Sequence, residues 1–421
     1  MREEWVIVDA TNIGQFLMGV NYWPRAKAMY WWERFDLDEV KKDFERIAEY
    51  GLGLVRIFLV WEAFQPTPKQ VSVENLKRLI AVADLASDTG ISLMPTLFCG
   101  HMSGVNWLPE WVLDEDCIRQ RFPVYTGGRL HFRGLKNVYT DKVISNAQEL
   151  LCREVARAME GHRALFACDL GNESSNCFVP PDRETARSWL ETMAGTLKAN
   201  GGGCMVTFGM HAEDLEEDRA LGPGEAATVC DFLSMHGYPF YLKWVDDPLD
   251  YEVLPFLGAV TEWLGEKPVL FQEFGIPSYP VIPPFLKGDE SDRLRGRLWD
   301  EETGAIYYRH ALERLQQEGM IGAVAWCFGD YVPGLWNHPP LRENPHERFF
   351  GLFRYDGSAK LAAEVAREFA GSRKVRTVAM EVRYRRPWLD EEKPEVFYLD
   401  PQANLKRLYR KYKAWTGLSA I

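Results

Sequence analysis

Short apolar runs recur along the chain, and most are followed by a stretch whose apolar residues return at helical spacing. Eight runs read as strands: Phe16 to Tyr22, Leu54 to Trp61, Ile91 to Phe98, Ala164 to Gly171, Cys204 to Met210, Cys230 to Tyr238, Pro268 to Gly275 and Ile321 to Gly329. Each is nearly continuous in apolar residues, the pattern of a strand buried on both faces. Segments such as "DLDEVKKDFERIAEYG", "VENLKRLIAVADLASDTG", "SNAQELLCREVARAMEGH" and "ETARSWLETMAGTLKANGG" have amphipathic helical spacing and end at Gly or His, as helix stops do. Eight strands alternating with helices predict the α/β class, as a (β/α)8 TIM barrel over residues 1–371. In such a barrel, chemistry gathers at the C-terminal ends of the strands.

Three interruptions are long: His101 to about Lys142, Pro277 to Trp299, and Asp330 to Phe350. Long loops inside a compact domain carry function more often than not, and these three fall on one face of the barrel. After residue 371 the composition changes. Residues 372–421 carry a net charge of +6 against -18 for the rest. The alternating run "TVAMEVRYR" reads as a strand, and Leu405, Leu408, Tyr409, Tyr412 and Trp415 share one face of a helix. Fifty residues bury too little area to stand alone. This small C-terminal extension is expected to pack on the barrel or on a partner subunit, which makes a homo-oligomer one expectation.

A net charge of -12 excludes the basic surface that nucleic-acid binding needs. No apolar run is long enough for a membrane span. The acidic start "MREEWVIVDA" lacks the basic flank and apolar stretch of a signal peptide, so a cytoplasmic location is expected. The eight cysteines show no CxxC pair and read as buried reduced thiols. The eight histidines have no HxH or HExxH spacing, and "GTLKANGGG" lacks the Lys and hydroxyl of a phosphate loop. Neither a metal nor another cofactor is expected.

Two carboxylates end otherwise buried runs: Glu173 after the fourth strand in "CDLGNESSN", and Glu273 after the seventh in "FQEFG". Three βα units separate them, so a closed barrel brings them together across its mouth. A carboxyl pair about 5 Å apart is what retaining glycoside hydrolysis uses, one as nucleophile and one as acid and then base. For that role Glu173 should start protonated, its pKa raised by a negative neighbour and by burial.

Taken with these glutamates, several other strand ends resemble those of clan A glycoside hydrolases, and within them family 5. The resemblance covers roughly Phe16 to Phe369. It implies that Arg56 in "LVRIF" holds the nucleophile Glu273, and that His101 in "FCGHMSG" is the third-strand histidine. It implies that Asn172 binds the sugar 2-hydroxyl beside the general acid/base Glu173. His236 and Tyr238 in "SMHGYPF" match the sixth-strand His-x-Tyr, whose phenol bonds the nucleophile, and Trp326 in "AWCFGDY" matches the floor of the sugar site. Ser174 departs from the pattern, since many relatives have Pro there. The opening "GVNYWPRAKAMYWWERFD" looks closer to the exo-β-mannosidase-like branches than to secreted cellulases.

The implied activity is a retaining β-glycosidase acting on β-linked mannosyl or glucosyl oligosaccharides. An endo-acting mannanase or glucanase is the near alternative, and a non-catalytic carbohydrate-binding barrel the distant one. Trp61, Trp107, Trp111, Trp244 and Trp336 lie in or near loops on the same side and are expected to divide between sugar contacts and core. Each site residue also has a plainer reading. Arg56 could be a buried ion-pair partner, His101 and His236 satisfied core histidines, Asn172 a helix cap, and Trp326 core. Asp169 and Glu62 receive no role.

Overall fold

The computed structural model describes residues 16–116, 121–279, 294, 296–371 and 386–417. Eight parallel strands close into a barrel: β1 (Leu17–Asn21), β2 (Leu54–Phe58), β3 (Ser92–Phe98), β4 (Ala167–Asn172), β5 (Met205–His211), β6 (Leu233–His236), β7 (Val269–Phe274) and β8 (Gly322–Ala325). They are hydrogen-bonded in the order 1-8-7-6-5-4-3-2, and β1 closes against both β8 and β2. All eight lie inside the runs predicted for them or overlap them.

Alternation along each strand divides the core in two. Leu17, Leu54, Met94, Ala167, Leu270 and Val324 form one apolar cluster with Phe166 and Phe232 and plug the barrel near the strand starts. Two residues further along β2, β3, β4 and β7, the same inward positions become Arg56, Thr96, Asp169 and Gln272, all completely buried. Val55 and Ile57 belong instead to the large outer core shared with the helices. The sequence LVRIF thus carries an arginine into the barrel by pleat alone.

Between the strands lie α1 (Leu37–Glu49), α2 (Val73–Thr89), α3 (Lys142–Met159), α4 (Arg183–Asn200), α5 (Val253–Gly265), α6 (Glu301–Gln317) and α7 (Leu361–Gly371). Asp36, Ser72, Asp141, Asp182 and Asp300 cap α1, α2, α3, α4 and α6 by accepting from backbone N–H groups of the first turn. Such caps contribute about 1 kcal/mol each. Helix α5 is apolar nearly all round, which hides its periodicity and signals burial on two sides.

What covers its outer side is the end of the chain. Helix α8 (Pro401–Trp415), with Trp388 before it, packs on Phe256 of α5 through Tyr409 and Tyr412. The Tyr412 hydroxyl donates to Glu252 at 2.9 Å and accepts from Arg314 at 2.9 Å. Leu405, Leu408 and Tyr412 are buried as the helical spacing predicts, whereas Trp415 remains 45% exposed. The described part of the extension, residues 386–417, therefore packs on the barrel of its own chain. The strand read over residues 377–385 lies outside the described residues. Among the described residues no helix is long and apolar enough to cross a membrane, and the described cysteines are unpaired and mostly buried.

Candidate active site

The strands that carry the predicted residues lose their regular register just before their C-terminal ends. Register shifts occur between Asp169 and Asn172 in β4, between Met235 and His236 in β6, and between Phe271 and Phe274 in β7. Such irregularities re-aim the side chains that follow, here Asn172, Glu173, His236 and Glu273. Glu173 itself has φ of 47° and ψ of 43°, a left-handed conformation uncommon for a residue with a side chain.

Arg56 is the hub. Its Nη1 donates to Glu273 Oε1 at 2.5 Å and to Asn21 Oδ1 at 3.1 Å. Its Nη2 donates to Asp169 Oδ2 at 2.8 Å and Asn172 Oδ1 at 2.7 Å, and its Nε to Thr96 at 2.9 Å. A buried guanidinium with two carboxylates and three neutral acceptors is well compensated. Gly209 makes room for it, because a Cβ there would meet Gly171 O at 2.5 Å and Arg56 Nη2 at 3.2 Å. Asp169, unassigned from the sequence, is thus the second anion on Arg56.

Glu273 is held at both oxygens, since the Tyr238 hydroxyl donates to Oε2 at 2.8 Å. Burial and the Glu273 charge push the Tyr238 phenol well above its usual range, so it stays a donor. His236 bridges the two glutamates: Nδ1 lies 3.0 Å from Glu173 Oε1 and 3.5 Å from Glu273 Oε1. One oxygen of each glutamate and a nitrogen of His236 lie within 4.8 Å of one another. These are the only described residues that gather three metal-type donors. Both Glu273 oxygens, however, already accept from Arg56 and Tyr238.

Asn172 donates to His101 O at 2.5 Å, which joins the β4 end to the loop after β3. His101 Nδ1 is 2.8 Å from Asn106 Oδ1, and burial lowers its pKa. Its neighbour is the Phe122 ring, 4.2 Å away between centroids.

Burial of Glu173 acts to raise its pKa, but the charges of His211 and of hydrogen-bonded His236, with His101, outweigh it and hold the carboxyl down at about 2. The raised pKa expected for Glu173 is not met in the free site. Imidazoles stand around it where a lone carboxylate neighbour was expected. His236, at 3.0 Å from Glu173 Oε1, is the nearest of these rings. Burial lowers the pKa of His236, yet the charges of Glu273 and Glu173 raise it overall.

A cleft of about 370 Å³ opens over this cluster, large enough for a small sugar. His101, Asn172, Glu173, His236, Tyr238, Glu273 and Trp326 all line it, and Arg56 lies beneath it. It also contains residues without a motif to mark them: Arg121, Phe122, Asn176, His211, Tyr241 and Glu347. Glu347 accepts from the Ser103 hydroxyl at 2.9 Å and from Trp326 Nε1 at 3.4 Å, and burial pushes it up to about 7. Only the length of the loop after β8 hinted at it.

The five tryptophans expected to share in sugar contacts do not line the cleft. Trp61 packs on Phe98 and Trp111, whose Nε1 donates to Gln65 O. Trp107 packs on Tyr30 and Tyr125. Trp244 donates to Glu216 and packs on Tyr409 of α8, and Trp336 packs on Phe349. Loop membership misled here because the loops fold back and form small cores of their own.

The loops after β3 and β8 meet at one end of the cleft. Asn344 Nδ2 donates to Ser103 O at 2.8 Å, directly above Gly104, where a Cβ would come within 2.4 Å of the Asn344 side chain. The Tyr241 hydroxyl, from the loop after β6, reaches Glu347 Oε1 at 3.2 Å. Elsewhere on the rim, Arg121 pairs with Glu213 at 2.8 Å.

No protein-family model matches the chain, and no curated protein matches it. Solved structures do. An exo-β-1,4-mannosidase from an Opitutaceae bacterium is 24% identical with a TM-score of 0.69; the match covers 87% of this chain, which spans 61% of that chain's length. GH5_18 from Streptomyces cattleya, solved in complex with GlcNAc, is 20% identical with a TM-score of 0.73, covering 96% of this chain and 92% of that one. The endo-β-1,4-mannanase from Thermotoga petrophila is 16% identical with a TM-score of 0.58, covering 88% and 78%. The likeness establishes the barrel architecture.

Proposed function

We propose that this chain is a glycoside hydrolase of family 5 that removes single β-mannosyl residues from the non-reducing ends of short oligosaccharides, with retention. The observation that carries the proposal is the placement of two glutamates in different environments with one oxygen of each within 4.8 Å of the other. Retaining enzymes hold their carboxyls about 5–5.5 Å apart, whereas inverting ones leave about 6.5–9.5 Å for a water. Glu273, fixed by Arg56 and Tyr238, serves as the nucleophile. Glu173, on the more open side and hydrogen-bonded to His236, serves as acid and then base.

In the first step a Glu273 oxygen attacks the anomeric carbon while the Glu173 proton passes to the leaving oxygen. In the second, Glu173 takes a proton from water, which attacks the anomeric carbon from the face the leaving group vacated, opposite Glu273, and releases Glu273 as a carboxylate. Arg56 and Tyr238 hold both oxygens of Glu273 in a fixed orientation, which spares the reorganisation cost during attack. Asn172, pinned between Arg56 and His101 O, is placed for the sugar 2-hydroxyl. Trp326, hydrogen-bonded to Glu347, offers a ring face to the pyranose C–H surface.

Mannose is favoured over glucose by the company the fold keeps: an exo-β-1,4-mannosidase, and a GH5_18 variant from Streptomyces cattleya crystallised with Manβ1-4GlcNAc. Exo action is supported by the bridge from Ser103 to Asn344 and Glu347, which walls the cleft beside Trp326. A catalytically dead, carbohydrate-binding barrel has no support from a site with both glutamates in place.

The test is hydrolysis of 4-nitrophenyl β-mannoside, β-glucoside and β-galactoside and of Manβ1-4GlcNAc, with the first-formed anomer read by NMR. Preferential release of β-mannose supports the proposal. Early α-mannose, or turnover of none of these, overturns it.

A further inference from the structure

His236 has two ring nitrogens, and each has a defined partner. Nδ1 faces Glu173 Oε1 at 3.0 Å, and Nε2 faces Gln272 Oε1 at 2.9 Å. The orientation of the Gln272 amide decides which ring nitrogen carries the permanent proton. That orientation is forced from behind, because Gln272 Nε2 lies 3.1 Å from Asp169 Oδ2. The same oxygen accepts from Arg56 Nη2 at 2.8 Å and from Thr96 at 2.7 Å. Asp169 Oδ1 accepts from the Gly209 N–H at 3.0 Å. An aspartate so surrounded by donors is an anion and offers no proton. The amide must therefore turn its NH2 to Asp169 and its oxygen to His236, and Nε2 must be N–H.

We infer that Gln272 is a positioning residue that locks the Nε2–H tautomer of His236 and so keeps the acid proton shared between His236 Nδ1 and Glu173. The inference rests on the acid/base reading of Glu173. With Nε2 protonated, the 3.0 Å contact needs one more proton between Nδ1 and Oε1. It resides on Nδ1, giving imidazolium and carboxylate, or on Oε1, giving neutral ring and carboxylic acid. Both are the same protonation level, and moving between them transfers one proton along an existing hydrogen bond. A substrate that seats its leaving oxygen on Glu173 draws the proton to Oε1 and onward, leaving His236 neutral and its Nδ1 lone pair free. The returning proton, taken from water in the second step, restores the pair.

Losing that proton to solvent is resisted, because the Nδ1 lone pair would then face the carboxylate. Without Gln272 the ring can adopt the other neutral tautomer, in which Nδ1–H donates to an ionised Glu173. Deprotonation becomes easier and the acid form disappears at lower pH. The other charged or titratable groups facing the pair are Glu273 on β7, Arg56 on β2, His101 beyond β3, His211 on β5 and Tyr238 after β6. None of these contacts His236 Nε2, so they do not choose its tautomer.

The experiment has two arms. In 15N-histidine-labelled wild-type protein, NMR above the basic limb should show His236, identified by its loss in His236→Asn, with Nε2 protonated and Nδ1 bare. The opposite tautomer overturns the inference without reference to any activity. In Gln272→Met the basic limb of kcat/KM should move down by about one pH unit, a tenfold weaker hold on the proton. The loss above that limb should be confined to substrates with poor leaving groups, since 2,4-dinitrophenyl β-mannoside needs no acid. An unmoved limb in folded Gln272→Met, or equal loss on both substrates, overturns the inference. If wild-type protein hydrolyses no β-glycoside, the functional reading fails while the NMR arm still decides the tautomer.

Discussion

Arg56 Nη1 meets Glu273 Oε1 at 2.5 Å, with the arginine side chain fully buried and that of Glu273 only 5% exposed. Charges taken this far from water persist only when paired and hydrogen-bonded, and here Tyr238 and Asp169 complete the set. The consequence is a carboxylate that cannot rotate away from Arg56 without costing Nη1 its charged acceptor. It is a preformed anion with a fixed direction, which a nucleophile needs.

Replacing Glu273 by Gln keeps the shape and removes the negative charge. Turnover of any substrate should fall by at least about a thousandfold, activated leaving groups included. A thermal melt should show a folded protein. Near-normal activity would remove Glu273 from the nucleophile role.

Glu173→Ala should behave differently. It loses most activity on Manβ1-4GlcNAc but still forms the glycosyl-enzyme from 2,4-dinitrophenyl β-mannoside, whose leaving group needs no proton. Azide, which needs no base, should speed turnover and yield the β-mannosyl azide, as two inversions require. An α-azide, or an equal loss on both substrates with no rescue, assigns Glu173 the wrong role.

Glu347 carries the exo prediction. Wild-type protein given mannopentaose should release mannose alone and leave the viscosity of polymeric mannan unchanged. Glu347→Ala removes the group that joins Ser103, Tyr241 and Trp326. It should lower kcat/KM on 4-nitrophenyl β-mannoside about ten- to hundredfold and let some mannobiose appear among the products. Random cutting of polymer by wild-type protein would contradict the walled cleft.

Asp43 tests the folded state rather than the site. It accepts from the Tyr22 hydroxyl at 2.9 Å, and burial pushes it up to about 7 from the usual 3.8. The native state therefore binds a proton that the unfolded chain has already released, so stability falls as pH rises from about 4 to 7. Asp43→Asn should melt higher than wild type at pH 8, with the gap narrowing toward pH 4. At roughly 1.4 kcal/mol per unit the gap is at most on the order of 4 kcal/mol. A pH-independent difference would show that burial of a charge is not the cause.

The sequence carried the barrel, because buried parallel strands are written as apolar runs and their helices as amphipathic ones, both local patterns. It also marked the residues at strand ends that break those patterns: Arg56, Asn172, Glu173, His236, Tyr238 and Glu273. It could not tell that Asp169 and Gln272 join them. Whether a polar residue inside a strand meets an arginine, a histidine or nothing depends on the stagger between strands distant in the chain. Nor could it sort the tryptophans, because a ring in a long loop faces sugar or core according to how that loop folds back. Trp107 and Trp336 are core, whereas Phe122 and Glu347 reach the cleft. The Glu173 pKa departs from the direction its own strand end predicts for the same reason. His211, which helps lower it, lies 38 residues away in sequence, and the pairing of β5 beside β4 brings its ring to 3.9 Å. Local free energies select the elements; long-range packing selects their neighbours, and electrostatics at the site belongs to the neighbours.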